Sequence, residues 1–319
     1  MRRIAAALSF PLLAVMVLAG CGSSSPPNSA ASNPNGSVAV SGLFGAVPTV
    51  TIPAAPASSK LAIKTVIQGN GPVLAAGDSF VGNYAVYIWS GTTHKLALST
   101  FRTRSPQVLA ANVGLPGLKQ ALTGARMGSR VLAVLPPKDA YGSQGNAQIG
   151  VKATDTIVFV VDLIKDFSGT AGAAGQHISN GGGALPVVTA QASGAPQVTI
   201  PSSKPPGKLI VKTLIRGSGP KTVKGQTLVT QYVGLNWRTR KAFDSSWARG
   251  QPFGFQLDAQ PAQIIPGWDK GLVGVPVGSR VMLVIPPADG YGKTGNARAG
   301  IKGTDTLVFV VDIVGAVGP

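Results

Sequence analysis

Apolar positions in the last third of the chain fall into short β-branched runs. Leu209–Ile215, Thr227–Leu235, Gly278–Ile285 and Thr306–Val314 partly alternate and are closed off by Gly, Pro and Lys turns, a pattern that predicts strands. One short helix is predicted near Pro266–Val273. It opens on a proline, which the first helical turn tolerates because that N–H has no intrahelical acceptor. Many strands and one short helix predict an α+β fold, an antiparallel sheet burying one face against the helix. The pattern occurs twice. Gly128–Ile164 (GSRVLAVLPPKDAYGSQGNAQIGVKATDTIVFVVDLI) aligns without gaps with Gly278–Val314 (GSRVMLVIPPADGYGKTGNARAGIKGTDTLVFVVDIV), and more than half of the positions are identical. Leu61–Phe80 likewise matches Leu209–Leu228, each with a G-x-G-P turn. One fold has been duplicated; this is not an array of small repeats.

A length of 319 residues is consistent with two domains. Residues 1–20 read as an export signal: Arg2 and Arg3, then an apolar run Ile4–Leu18 too short for a comfortable span of about 20 residues. Leu18-Ala19-Gly20-Cys21 resembles the lipobox of bacterial lipoproteins, which implies that Cys21 is acylated and becomes the mature N-terminus. Residues 21–47, rich in Gly, Ser, Pro and Asn, are expected to be a flexible tether. The first domain is placed at 48–167, a Gly-rich linker at 168–195, and the second domain at 196–319.

The formal net charge of +17 raises the question of nucleic acid. The basic residues are scattered, with no arginine-rich run, helix-turn-helix or finger, so no nucleic-acid partner is expected. The basic balance fits work near an anionic membrane or wall. Cys21 is the single cysteine, which excludes an internal disulfide, and with two distant histidines no metal site is expected. His94 and His177 lie in a turn and a linker, unsuited to triad chemistry. The paired glycines at Gly69/Gly71 and Gly217/Gly219 lack the third glycine and the helix of a dinucleotide site, and no cofactor is expected.

The chemistry is concentrated in Lys241–Leu272. Phe243, Trp247, Phe253, Phe255 and Trp268 gather there, in a chain only 6% aromatic, with one carboxylate, Asp244, directly after the first ring. Such rings build either a core or an apolar pocket with few polar groups. The order Phe243-Asp244-Ser245-Ser246, Pro252–Phe255 (P-F-G-F) and Ile264–Trp268 (I-I-P-G-W) resembles the FKBP-type peptidyl-prolyl cis–trans isomerases. Val229–Gly234 (VTQYVG) before it, and Pro286–Gly292 (PPADGYG) and Thr304–Asp312 (TDTLVFVVD) after it, follow in the same family order.

The resemblance implies a twisted antiparallel sheet wrapped around one short helix, repeated in tandem, and it implies site roles. Trp268 matches the floor under the proline ring; Tyr232, Phe243, Phe253, Ile264 and Phe309 match the apolar walls, and Phe255 of the same P-F-G-F stretch is taken as substrate-binding. Ile265 matches the backbone N–H that binds a substrate carbonyl, Tyr291 the rim hydroxyl donor, Asp244 the carboxylate near the twisted amide, and Ile301 the loop over the pocket. Gln263 departs from the family, whose members often have Glu there. Taken singly, each residue also fits a plain structural role, Trp268 and Phe309 as core and Asp244 as a turn cap.

The first domain keeps Tyr84, Tyr141 and Phe159 but has Ala97-Leu98 for the Phe-Asp pair, Pro106–Leu109 for P-F-x-F, and Leu118 for the Trp floor. It is expected to keep the fold and lose most isomerase activity. The function expected is therefore a prolyl isomerase, lipid-anchored on the extracytoplasmic face of the membrane, acting on proline-containing exported polypeptides, with macrolide inhibitors among its implied partners. The alternative is a peptide-binding holdase without significant turnover.

Overall fold

The computed structural model describes residues 37–103, 105–111, 114–191 and 194–318. The expected signal segment, Cys21 and most of the tether lie outside the described residues. The first repeat comprises strands β1 (Ala39–Ser41), β2 (Thr49–Thr51), β3 (Ala62–Ile67), β4 (Ser79–Ser90), β5 (Thr93–Ser99) and β6 (Gln107–Ala110), helix α1 (Pro116–Leu122), then β7 (Arg130–Leu135) and β8 (Thr156–Phe167). The second follows with β9 (Gly175–His177), β10 (Val187–Thr189), β11 (Gln197–Thr199), β12 (Ile210–Gly217), β13 (Thr227–Asn236) and β14 (Ala242–Ser245). It continues with α2 (Ser246–Arg249), β15 (Phe253–Gln256), α3 (Pro266–Leu272), β16 (Arg280–Ile285) and β17 (Leu307–Val317).

Each repeat is built on one large antiparallel sheet, with a separate two-stranded hairpin, β1–β2 or β10–β11. The first runs β3-β7-β8-β4-β5 with β6 also on β4; the second runs β14-β13-β17-β16-β12-β9 with β15 also on β13. The α+β expectation and the short helix starting at Pro266 are both found, with the four expected strands within a few residues of β12, β13, β16 and β17; the four-residue α2 is an addition to the one helix expected. No helix among the described residues is long and apolar enough to cross a membrane.

The sheets are buried on both faces, which the one-helix picture does not provide. In β16 and β17, Val281, Leu283, Ile285, Phe309 and Val311 pack with Trp268 and Leu272 of α3. The alternate positions Met282, Val284, Val308 and Val310 pack with Val188 and Ile200 on the opposite side. Successive strand side chains point to opposite faces, so a run such as Arg280–Ile285, buried throughout, requires two covering layers. The second layer is the β10–β11 hairpin. In the first repeat the β1–β2 hairpin covers the alternate positions Leu132, Val134, Val158 and Val160. An indole pins each segment that follows a hairpin: Trp89 Nε1 donates to Ala55 O at 3.0 Å and Trp237 Nε1 to Ser203 O at 3.1 Å.

The expected boundaries at 47/48 and 195/196 therefore each cut through a hairpin. The 168–195 stretch is not a plain spacer either, because β9 pairs with β12 at the edge of the second sheet and β10 pairs with β11. These strands of three residues, set among Gly, Pro and Ser, carry no apolar period to read.

Each sheet also buries one ion pair. Arg130 donates from Nε and Nη2 to Asp162 at 2.6 and 2.8 Å, and Arg280 does the same to Asp312 at 2.6 and 2.7 Å. The remaining polar capacity is met by backbone: Gly45 N donates to Asp162 Oδ2 at 2.7 Å and Ala173 N to Asp312 Oδ2 at 2.8 Å.

Candidate active site

The start of α3 places the indole. Ile265 is extended (φ −68°, ψ 147°), Pro266 fixes the first helical position, and Trp268 N donates to Ile265 O at 3.0 Å. Trp268 is 3% exposed. Four rings stand nearly perpendicular to it: Tyr232 at 5.2 Å and 86°, Phe309 at 5.2 Å and 84°, Phe255 at 5.4 Å and 71°, and Phe253 at 6.2 Å and 86°. Edge-to-face contacts of this kind are worth about 0.5–1.5 kcal/mol each beyond the area they bury. Phe243 meets Phe309 edge-on at 5.6 Å and Phe253 stacks on Phe255 at 5.6 Å.

Around the buried indole, Phe243, Phe253, Ile264, Ile265 and Tyr291 are half-buried and pack against the same cluster, while Ile301 is buried within it. Tyr291 begins the single-turn helix Gly292–Thr294, and Ile301 is held by a backbone bridge to Asn296. Burial pushes the Tyr291 hydroxyl above the ordinary tyrosine range, against a bond from the Asn296 side chain. Nine of the residues given site roles in the sequence thus pack around the indole of Trp268, on β13, β14, β15, α3, β17 and the loops beside them, and Asp244 joins them through Tyr232; Trp247, the other ring of that stretch, packs instead on the opposite face with Met282 and Val284. Trp268 Nε1–H is buried there without an acceptor among the described residues, a condition that costs about 1–3 kcal/mol.

One corner is polar. The Tyr232 hydroxyl donates to Asp244 Oδ2, Arg249 Nη1 donates to Asp244 Oδ1, and Arg249 Nη2 reaches the Tyr232 hydroxyl at 2.9 Å. The Arg249 guanidinium also lies 5.5 Å from the Tyr232 ring centre. Burial first, and then the bond to Asp244, hold the Tyr232 phenol far above its ordinary pKa, with Arg249 opposing. Arg249 was not found in the sequence; the signal available was a cation five residues after the carboxylate, just before Gly250, which ends α2 in the left-handed region at φ 67°.

Ser246 was also missed. It is fully buried, donates to Gln231 Oε1 at 2.5 Å and accepts from Tyr232 N at 2.7 Å, fixing α2 to the strand that carries Tyr232. Thr100 makes the matching bonds in the first repeat, accepting from Tyr84 N at 2.9 Å and donating to Asn83 Oδ1 at 3.2 Å. Gln263 accepts from Gln256 N at 2.9 Å, tying its loop to the end of β15.

The first repeat lacks the box. Leu118 is buried where Trp268 stands, Tyr84 stacks on Phe159 at 5.5 Å and 17°, and Leu98 is 38% exposed in the place of Asp244. No cluster of three or more His, Cys, Asp or Glu able to hold a metal occurs among the described residues.

The family model described as FKBP-type peptidyl-prolyl cis–trans isomerase matches residues 74–164 and 219–314, together more than half of the chain. The protein belongs to the FKBP-type peptidyl-prolyl cis–trans isomerases and carries two domains of that family. Among its relatives, an FK506-binding protein of Streptomyces anulatus is 43% identical over 119 residues, covering 37% of this chain and 94% of that one. A probable FK506-binding protein of Corynebacterium glutamicum is 37% identical over 121 residues, covering 38% of this chain and 98% of that one. Among solved structures, FkpA from Escherichia coli aligns at 37% identity over 34% of this chain and 47% of that chain, with a TM-score of 0.31.

Proposed function

We propose that the second repeat is the catalytic one and that it isomerises X–Pro bonds by taking the amide out of water. The observation that supports this reading is the ring box on Trp268 with its single polar corner, present in one repeat and absent from the other. Rotation about the bond crosses a barrier of about 18–20 kcal/mol set by amide resonance. Water stabilises the planar, charge-separated amide, so an apolar surround favours the twisted form. Each 1.36 kcal/mol removed from the barrier is about tenfold in rate. No covalent intermediate is required.

In this reading Trp268 is the floor for the proline ring. Tyr232, Phe243, Phe253, Phe255, Ile264 and Phe309 wall it, and Ile301 covers it from the loop. The Ile265 backbone N–H and the Tyr291 hydroxyl donate to substrate carbonyls. Asp244, held by Tyr232 and Arg249, sets the field beside the twisting amide. The same apolar site is the one a macrolide would occupy, as the names of the FK506-binding relatives suggest for those proteins.

The chain works at the extracytoplasmic face of a membrane, tethered through a lipid on Cys21. This rests on Arg2-Arg3, the apolar run Ile4–Leu18 and the Leu18–Cys21 lipobox. Radiolabelled palmitate incorporation that disappears in Cys21→Ala tests the anchor. A proline-peptide turnover assay on the full chain tests the activity: turnover is expected, reduced by Trp268→Leu and by Asp244→Leu. Suppressed aggregation of an unfolded client with no turnover would replace this reading with a holdase.

A further inference from the structure

The two repeats pack on one another through equivalent faces. Val81, Phe167 and Val229 form a buried cluster with Val108, Ile164, Val314 and Val317 around it. In the alignment of the repeats Val81 corresponds to Val229, Ile164 to Val314 and Phe167 to Val317. The contact is therefore close to self-complementary, as in a two-fold dimer, but it sits within one chain. Thr227 Oγ1 donates to Pro106 O at 2.7 Å and Gln231 Nε2 to Gly169 O at 2.7 Å, the former buried.

The symmetry breaks at one pair. Val108 on β6 corresponds to Gly254 on β15, and the two meet. A Cβ on Gly254 would lie 2.0 Å from Val108 Cγ2 and 2.2 Å from its Cβ. Only glycine admits so close an approach. Side chains alternate along a strand, so while Phe253 and Phe255 face Trp268, the strand between them rests its other side on Val108. Among the described residues β15 has one ladder partner, β13, along its edge, and the nearest atoms across its face at Gly254 are those of Val108.

We propose that Val108 of the first repeat is a positioning residue for the site in the second: it presses β15 from behind and sets the distance of the Phe253 and Phe255 rings from the indole. The first repeat, without the ring box itself, serves the other repeat as a brace. This rests on the preceding reading only in treating the two rings as substrate walls.

The test uses the full chain with Val108→Gly, with Gly254→Val, and with both together, which exchanges knob and hole. Steady-state isomerisation and amide hydrogen exchange across Phe253–Gln256 are measured for each. Val108→Gly is expected to raise KM about fivefold with kcat changed less than about twofold, and to speed exchange in β15 about tenfold. Gly254→Val is expected to lose more, and the exchanged pair to recover kcat/KM to within about threefold of the original. A Val108→Gly chain that matches the original in both KM and β15 exchange overturns the proposal, as does an exchanged pair no better than Gly254→Val alone. Should Gly254→Val not fold, Val108→Gly still decides. If the unaltered chain does not isomerise at all, the catalytic reading fails, and β15 exchange alone decides whether the brace exists.

Discussion

The Tyr232 hydroxyl donates to the Asp244 carboxylate between neighbouring strands, so phenol and carboxylate are oriented by each other rather than by solvent. Arg249 binds both. The Arg249 and Asp244 side chains are 34% and 39% exposed, and an ion pair so exposed is worth only about 0–1 kcal/mol of stability. Replacing Asp244 with Leu, the residue at Leu98 in the first repeat, should therefore cut kcat/KM about tenfold while moving the unfolding free energy by less than about 1 kcal/mol. Urea titration alongside the peptide assay checks the split. Equal losses in both would mean that Asp244 serves the fold.

In the proposed mechanism Trp268 carries a double load, as floor for the proline and as the centre on which four rings stand. Trp268→Leu leaves a cavity under those rings and should cost about 2–3 kcal/mol of stability, with turnover reduced at least tenfold. The reverse change, Leu118→Trp in the first repeat, should confer no turnover, because Ala97 and Leu98 still stand where the wall and the carboxylate are needed; it should also cost about 1–3 kcal/mol through overpacking. Thermal unfolding and the peptide assay on the two variants check both halves.

How much of this was legible in the sequence depended on the length of the signal. The long β-branched runs that became β13, β16 and β17, and the proline-started turn bearing Trp268, were readable because period and punctuation extend over many residues. Arg249 and Ser246 were not, because their contacts to Asp244 and Gln231 exist only once α2 turns the chain back on β13. The covering hairpins escaped notice since strands of three residues have no period. The unbroken apolar run Val281–Ile285 did hold the missing clue, as a strand buried on both faces reads continuously rather than alternating. The meeting of Val108 with Gly254 is invisible in either repeat alone.

Asp305 offers a test by pH. Its carboxyl is held well below the usual carboxylate range, chiefly by hydrogen bonds from Arg238, with burial opposing and further bonds from Lys302 N and Asn236 assisting. A folded-state pKa below the unfolded value means the unfolded chain binds the proton first, so stability falls as pH falls. This contribution is complete above the unfolded carboxylate pKa of about 4 and is lost progressively below it. Asp305→Asn should flatten the acid limb of the stability profile while lowering stability near neutrality. Chemical denaturation at a series of pH values checks it; an unchanged acid limb would assign that limb to other groups.

The buried pair Arg280–Asp312 should be costly to break and cheap to remove whole. Their side chains are 10% and 0% exposed, and Arg280→Met leaves Asp312 charged with, among the described residues, the Ala173 N–H as its remaining donor. The expected loss is about 3–5 kcal/mol. Adding Asp312→Leu to Arg280→Met should return most of it, because no unpaired charge then remains inside. Denaturant titrations of the single and double variants check the sign of the coupling.

In both sheets the strand made last lies in the middle: β8 between β7 and β4, and β17 between β16 and β13. A chain still lacking Leu307–Val317 would hold β13 and β16 as two flanks with nothing to join them, and the β10–β11 hairpin with half of its seat missing. Neither repeat can be finished in instalments. The first can close before the second is delivered, but within each one tertiary order must wait for the final strand to arrive.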